Sequence, residues 1–238
     1  MLMLGTNPFS ILAETVSPFA MQSFIIAMIL LIAFGTIIQM IHHKNLTYFL
    51  NNAKKAKLQA TREIGTGERV SILAKTAVVD IGTTAELGFG KRRLSHVLGM
   101  YGTIIFWVSS AMLVFCYTGA DKSSSTIWSM LWHVGAILTC IGGYWFWLFL
   151  RVDVSAEAHP WYRIIKADLF VLALLACSTF GLAWSYTQFN GQVGLSFLFL
   201  TLFVASNLVL FGGVYWSKFA HMFYKPGAAI QKNLAEAD

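Results

Sequence analysis

Two histidines occupy matching positions at the ends of long apolar runs in this sequence. His96 lies in "KRRLSHVLGMYG" (residues 91–102), just inside one run, and His221 lies in "VYWSKFAHMFYKPG", where another run ends. Ionisable side chains are costly inside a membrane, so residues of this kind are candidates for function. Haem iron takes two axial donors, and helical bundles hold cofactors with side chains from facing helices. The pair therefore predicts either two haem ligands or two interfacial histidines whose ring tips reach the lipid headgroups.

The residues around His96 fit both interpretations. Gly99 follows three residues later on the same helical face, and Gly102 lies close to it, which leaves room for a flat macrocycle beside the ligand. A basic cluster at the same level could pair with haem propionates, or it could only anchor the chain at the membrane surface. The cluster consists of Lys91, Arg92, Arg93 and Lys218.

Long apolar helices must position these residues, because the chain is 57% hydrophobic and only 12% charged. A helix needs about 20 apolar residues to cross a bilayer. Five runs meet this length, and they predict an all-α integral membrane protein with a five-helix transmembrane bundle. We expect the first run to be retained rather than cleaved as a signal peptide, because no basic stretch precedes it and no small-residue cleavage site follows it. The runs are about 20–41, 94–117, 127–150, 167–187 and 194–216.

The distribution of lysine and arginine predicts the orientation of these helices. Of the 17 residues, ten lie between the first and second runs, three between the third and fourth, and three after the fifth, which leaves only Lys122 on the other side. Basic segments stay in the cytoplasm, so we expect an outside N-terminus and a cytoplasmic C-terminus in the cell inner membrane. Orientation and contact with membrane lipid account for the net charge of +6, so no nucleic acid partner is predicted.

The cytoplasmic connection over residues 42–93 is long enough to carry structure of its own. Its first half predicts an amphipathic surface helix, with Leu46, Phe49 and Leu50 on one side and Lys54 and Lys55 largely on the other. Its second half, "GERVSILAKTAVVDIGTTAELGFG", combines β-branched stretches with glycines and predicts hairpin-like or irregular structure. The connection either docks a cytoplasmic partner or lies passively on lipid.

Three more histidines are candidates for a site. His133, in "WSMLWHVG", is expected near the outer end of the third run, where it would ligate a second haem, bond a quinone carbonyl, or bond a neighbouring helix. His42 and His43 end the first run near the predicted haem. They would cap that helix, or serve a quinone headgroup as hydrogen-bond donor and proton carrier. His159 falls in an exposed loop and has no predicted role.

Two motifs resemble a known family. "RRLSHVLGMYGTIIFW" and "WSKFAHMFYKPGAAIQK" are similar to segments of the respiratory nitrate reductase gamma-subunit family of membrane cytochromes b. Relatives of that family include the membrane subunits of heterodisulfide reductase-type and quinone-interacting oxidoreductase complexes and the membrane anchor of adenylylsulfate reductase. The resemblance implies that His96 and His221 are the axial ligands of a cytoplasmic-side haem b. It also implies electron exchange between membrane quinone and a cytoplasmic flavin or Fe–S enzyme, with the sulfur-metabolism branch preferred.

One departure from the family concerns its second haem. The positions that correspond to the second ligand pair hold Phe106 and Phe203, so the outer haem is expected to be absent or differently ligated. A rival interpretation is a cofactor-free membrane anchor or assembly protein that holds a soluble complex through residues 42–93. A transporter is disfavoured, because transport sites usually need polar residues near the bilayer midplane and these runs have almost none.

Overall fold

The structure is a computed structural model that describes residues 3–42, 45–59, 62, 64–84, 87, 90–118, 126–151, 160–215 and 221–237. Nine α-helices and no strand occur in these residues. They are α1 (Pro8–Leu12), α2 (Pro18–His42), α3 (Asn45–Gln59), α4 (Thr66–Lys75), α5 (Lys91–Cys116), α6 (Thr126–Trp145), α7 (Leu169–Phe189), α8 (Val193–Gly212) and α9 (His221–Ala237). A π-helical turn extends α4 over Thr76–Gly82, and another extends α6 over Phe146–Leu150.

Five of these helices are long and apolar enough to cross a membrane, which confirms the predicted number of spans. They are α2, α5, α6 with its π-helical extension, α7 and α8. The helices pack in chain order, and α8 returns to contact α2, so the five form a closed bundle. The chain is therefore a multi-pass membrane protein with an all-α fold.

Small residues bring α5 and α6 into close contact. A Cβ atom added at Gly102 would lie 2.5 Å from the backbone nitrogen of Thr139, and one at Gly142 would lie 2.5 Å from that of Gly99. The Ser95 hydroxyl donates a hydrogen bond to the carbonyl oxygen of Gly142 at 2.8 Å. Glycine permits this approach because lipid supplies no hydrophobic force between helices, and close backbone packing replaces it.

We expect Gly142→Ala to lower the free energy of unfolding by about 1–3 kcal/mol, because the new methyl group would meet backbone atoms that cannot rotate away. Gly212→Ala is the matched control, since a Cβ atom there meets nothing within 4 Å. Unfolding of both variants in mixed detergent micelles measures the difference. Equal stability of the two variants would contradict this account of the α5–α6 contact.

Aromatic rings fill the bundle between α5, α6, α7 and α8. The rings of Phe106 and Trp132 lie 5.1 Å apart between centroids, and Trp184 stacks on Phe203 at 5.7 Å. Phe106 and Phe203 meet edge to face at 6.4 Å. The two positions at which the family would carry a second ligand pair thus belong to one packed aromatic core. Phe9 of α1 packs against the Trp184 ring of this core, at the end of the bundle where the N-terminal segment lies.

Polar contacts place the two ends of the chain at opposite ends of the bundle. Asn7 donates a hydrogen bond to the carbonyl oxygen of Tyr117, just past the end of α5. At the other end, α9 packs against α3, α4 and the π-helical turn. The Asn233 amide in α9 donates hydrogen bonds to the Thr76 hydroxyl at 2.8 Å and to the Asp80 carboxylate at 2.6 Å.

The hairpin predicted for the second half of the 42–93 connection is wrong, because α4 and its π-helical turn occupy residues 66–82. Apolar residues there recur at helical spacing, as in Val70, Leu73, Ala74 and Ala77. The β-branched residues favour strands only weakly, and packing on α9 overrides that preference. The glycine at position 65 begins the helix as its N-cap rather than forming a turn between strands.

Candidate functional site

His96 lies in the second turn of α5, and its side chain is exposed. Gly99 follows one turn later, and a Cβ atom added there would meet nothing within 4 Å. The surface beside the imidazole is thus open on the side that Gly99 faces. Gly102 differs, because α6 fills the space where its side chain would be. Of the two glycines that the sequence placed beside His96, only Gly99 leaves room for a ligand.

Arg93, one of the basic residues before His96, forms hydrogen bonds to the segment that precedes α5. Arg93 donates from Nε to the carbonyl oxygen of Thr83 at 2.8 Å and from Nη2 to the Thr83 hydroxyl at 2.6 Å. Tyr101 adds a hydrogen bond from its hydroxyl to the carbonyl oxygen of Gly82 at 2.8 Å. Lys91 and Arg92 are exposed at the start of α5. Arg93 therefore positions the chain before α5, a role that sequence reasoning missed.

His221 is the first residue of α9, the helix that follows α8 after a 3-10 turn at Gly213–Tyr215. The fifth predicted run thus ends four residues early, at Gly212. Helical structure continues through Pro226, which lies inside α9. Proline removes one backbone N–H, and its ring crowds the carbonyl group four residues earlier, so α9 loses one hydrogen bond there but does not end. The side chain of His221, together with Lys218 and His43, lies outside the described residues.

A ring contact joins α5 to the end of α8. Trp107 lies on the same helical face as His96, eleven residues further along α5. Its ring packs against that of Phe211 near the end of α8, with centroids 5.3 Å apart. Since α9 begins nine residues after α8 ends, the chain that carries His221 starts from a helix adjacent to α5.

His133 is fully buried between α6 and α7, with both ring nitrogens hydrogen-bonded. Nδ1 lies 2.7 Å from the carbonyl oxygen of Ser129, which can only accept, so Nδ1 carries the proton. Nε2 lies 2.8 Å from the Ser185 hydroxyl, which donates to it when the imidazole is neutral. Of the roles that the sequence left open, this geometry matches the bond to a neighbouring helix, although the partner is a hydroxyl rather than a carbonyl group.

We expect Ser185→Ala to lower the free energy of unfolding by about 1 kcal/mol, because it leaves Nε2 of His133 buried without its donor. Ser178→Ala is the control on the same helix. Ser178 is equally buried, but its hydroxyl bonds only the carbonyl oxygen of Leu174 in its own helix. Unfolding in mixed micelles, combined with a His133→Ala double-mutant cycle, measures the coupling between the two helices. No coupling in the cycle would contradict the bridge.

A buried ion pair joins the π-helical extension of α6 to the start of α7. Arg151 is fully buried, and its Nη2 donates to the Asp168 carboxylate and to the carbonyl oxygen of Arg163, the latter at 2.7 Å. The guanidinium carbon lies 4.1 Å from the ring centroid of Trp147. Sequence reasoning missed this pair. The available signal was opposite charges at the facing ends of two consecutive runs.

The remaining candidates do not assemble into a second centre. His42 is the exposed last residue of α2. Cys177 is buried, whereas Cys116 is exposed. Among the residues that the structure describes, no group of three or more His, Cys, Asp or Glu side chains could hold a metal ion. No protein-family model, curated protein or solved structure matches this chain.

Proposed function

We propose that this protein is a b-type cytochrome subunit that passes electrons between membrane quinone and a cytoplasmic flavin or Fe–S enzyme. The single observation that carries the proposal is the exposed imidazole of His96 beside the open face of Gly99, at one end of a membrane-spanning helix. The similarity of the two histidine motifs to the nitrate reductase gamma-subunit family adds the second ligand, His221. We expect one haem b per chain.

Each residue at the His96 end of the bundle would have its own role in haem binding. The imidazoles of His96 and His221 would hold the iron, and Gly99 would leave space for the ring. Arg92 and Lys218 would pair with the propionates. Arg93 would contribute charge while it keeps its hydrogen bonds to Thr83. When bound, haem b would take up and release one electron at a time.

The proposed orientation follows from the lysine and arginine distribution. The end of the bundle that carries α3, α4 and α9 also carries the basic connection, so we place this end in the cytoplasm of the inner membrane. The polar surface of α3, where Lys54 and Lys55 are exposed, is the proposed docking surface for the partner enzyme. His42 and His43 would serve quinone at the same end.

The proposal also assigns His133 a structural role rather than a cofactor role. Both of its ring nitrogens already have partners, and Phe106 and Phe203 pack against one another nearby.

A single haem at one end would place quinone chemistry on the cytoplasmic side and conserve no charge separation.

Haem stoichiometry of the purified protein tests the proposal directly. One haem b per chain is the expected result, and two would require a second ligand pair that these residues do not supply.

The competing function is a cofactor-free anchor, and it is favoured by the hydrogen bonds of Arg93 to Thr83, which show that this basic residue has a structural use. Purified protein without a b-type spectrum would establish the anchor and end the cytochrome proposal.

A further inference from the structure

The helical segment 66–82, formed by α4 and its π-helical turn, has one side that packs on α9 and another side that is exposed. Thr76 and Asp80 face α9, where the Asn233 amide binds both side chains. The other side exposes five small or aliphatic residues at helical spacing, which we call the interfacial stripe. Its members are Val70, Leu73, Ala74, Ala77 and Val78.

The interfacial stripe is too exposed for a helix that faces water alone. Val70 is 59% exposed and Val78 is 67% exposed. An apolar helical face of this kind lies against lipid or against another protein. Its position relative to α5 and the charges at its edges decide between these occupants.

Hydrogen bonds fix the end of the segment beside a membrane-spanning helix. Tyr101 lies ten residues inside α5, and its hydroxyl reaches the carbonyl oxygen of Gly82. Arg93, one turn from the start of α5, binds the next residue, Thr83. Val78 precedes Gly82 by four residues, about one turn of the π-helical segment. The stripe therefore begins at the level where α5 leaves the apolar layer, a depth that a soluble protein does not reach.

The charges at the edges of the stripe favour an anionic membrane surface. Arg69 and Lys75 are exposed on either side of it. The nearby acidic side chains are already engaged, because Glu68 pairs with Arg62 at 2.6 Å and Asp80 binds Asn233. The 42–93 connection as a whole carries ten lysines and arginines against four acidic residues. Basic residues beside an apolar face attract anionic phospholipids.

We propose that the interfacial stripe lies in the boundary between headgroups and acyl chains of the membrane, with Arg69 and Lys75 on the phosphates of anionic phospholipids. Segment 66–82 is then a lipid-bound brace. It is held by α9 on one side and by the bilayer on the other, and it fixes the start of α5 through Arg93 and Tyr101. This inference does not depend on haem or on a partner enzyme.

Spin-label accessibility in the full-length protein tests the brace. The background carries Cys116→Ala, because Cys116 is the exposed native thiol. A nitroxide is attached at Val78→Cys, with Val108→Cys on the exposed face of α5 as the lipid reference and Asn51→Cys on α3 as the aqueous reference. Samples are vesicles of phosphatidylcholine with and without phosphatidylglycerol. Collisions with oxygen report lipid, and collisions with a water-soluble nickel chelate report water.

In vesicles that contain phosphatidylglycerol, the Val78 label should collide more with oxygen than with nickel, as the Val108 label does. Removal of phosphatidylglycerol, or the double change Arg69→Gln and Lys75→Gln, should shift the Val78 label towards the Asn51 values. A Val78 label that matches Asn51 in every membrane would overturn the proposal. Protection from both reagents would overturn it in favour of a protein partner or a second copy of the chain. No response to lipid charge or to the glutamine variant would refute the role of Arg69 and Lys75.

Discussion

Replacing His96 by alanine is expected to abolish the reduced-minus-oxidised b-type absorbance spectrum of the purified protein, and His221→Ala is expected to do the same. Each change removes one of the two proposed iron ligands. Alanine is the best helix former, and the His96 side chain is exposed, so the helix itself should persist in that variant. Absorbance spectra and haem content of the purified variants, normalised to protein, measure the loss.

Two controls separate ligand loss from a general defect. His159→Ala changes a histidine to which no role is assigned, and it should leave the spectrum unchanged. Circular dichroism and size-exclusion chromatography should show that the His96→Ala protein keeps its helical content and its dispersity. A b-type spectrum that survives both His96→Ala and His221→Ala would refute the ligand assignment.

Removing the carboxylate of Asp168 is expected to lower the free energy of unfolding by about 3 kcal/mol. Asp168→Asn would leave the charge of Arg151 buried without its counter-ion. Within the part of the chain that the structure describes, Nε and Nη1 of Arg151 have no hydrogen-bond partner, and Nη2 donates to Asp168 and to the carbonyl oxygen of Arg163. Unfolding in mixed micelles measures the cost.

The exposed pair Arg62 and Glu68 provides the matched control. Its atoms are as close as 2.6 Å, but its side chains are 54% and 40% exposed, so water replaces either partner. Glu68→Gln should therefore cost less than about 1 kcal/mol. The double change Arg151→Met and Asp168→Leu should recover most of the loss, because an apolar pair leaves no buried charge. Equal costs for Asp168→Asn and Glu68→Gln would contradict the buried pair.

Helical content outside the spans was partly predictable. The structure has a helix, α3, in the first half of the 42–93 connection, where the amphipathic pattern predicts one. For residues 67–90 the sequence predicts hairpin-like or irregular structure, because valine, isoleucine and threonine have a weak local preference against a helix. That preference was outweighed by α9, which lies about 150 residues away in sequence and binds Thr76 and Asp80 through Asn233.

The candidate site was only partly accessible from the sequence. The sequence singled out His96 and Gly99, and the structure places them on an open part of one helix. The sequence assigned Gly102 the same role, but Gly102 lies on the side of α5 that packs against α6. The bond of His133 to Ser185 joins α6 to α7, and α7 has little hydrophobic asymmetry, so its sequence pattern does not indicate which of its faces meets α6.

The sequence by itself determined that five helices cross the membrane, because transfer of about 20 apolar residues into lipid depends on each run alone. Only the tertiary structure decided which side chains meet between those helices, as Arg151 meets Asp168 and Gly142 meets Gly99. Lipid and protein interior are equally apolar, so hydrophobicity cannot choose between the faces of a spanning helix. Which faces meet depends on the shapes of the side chains and on hydrogen bonds and ion pairs between buried polar groups. These contacts form only when the helices pack together.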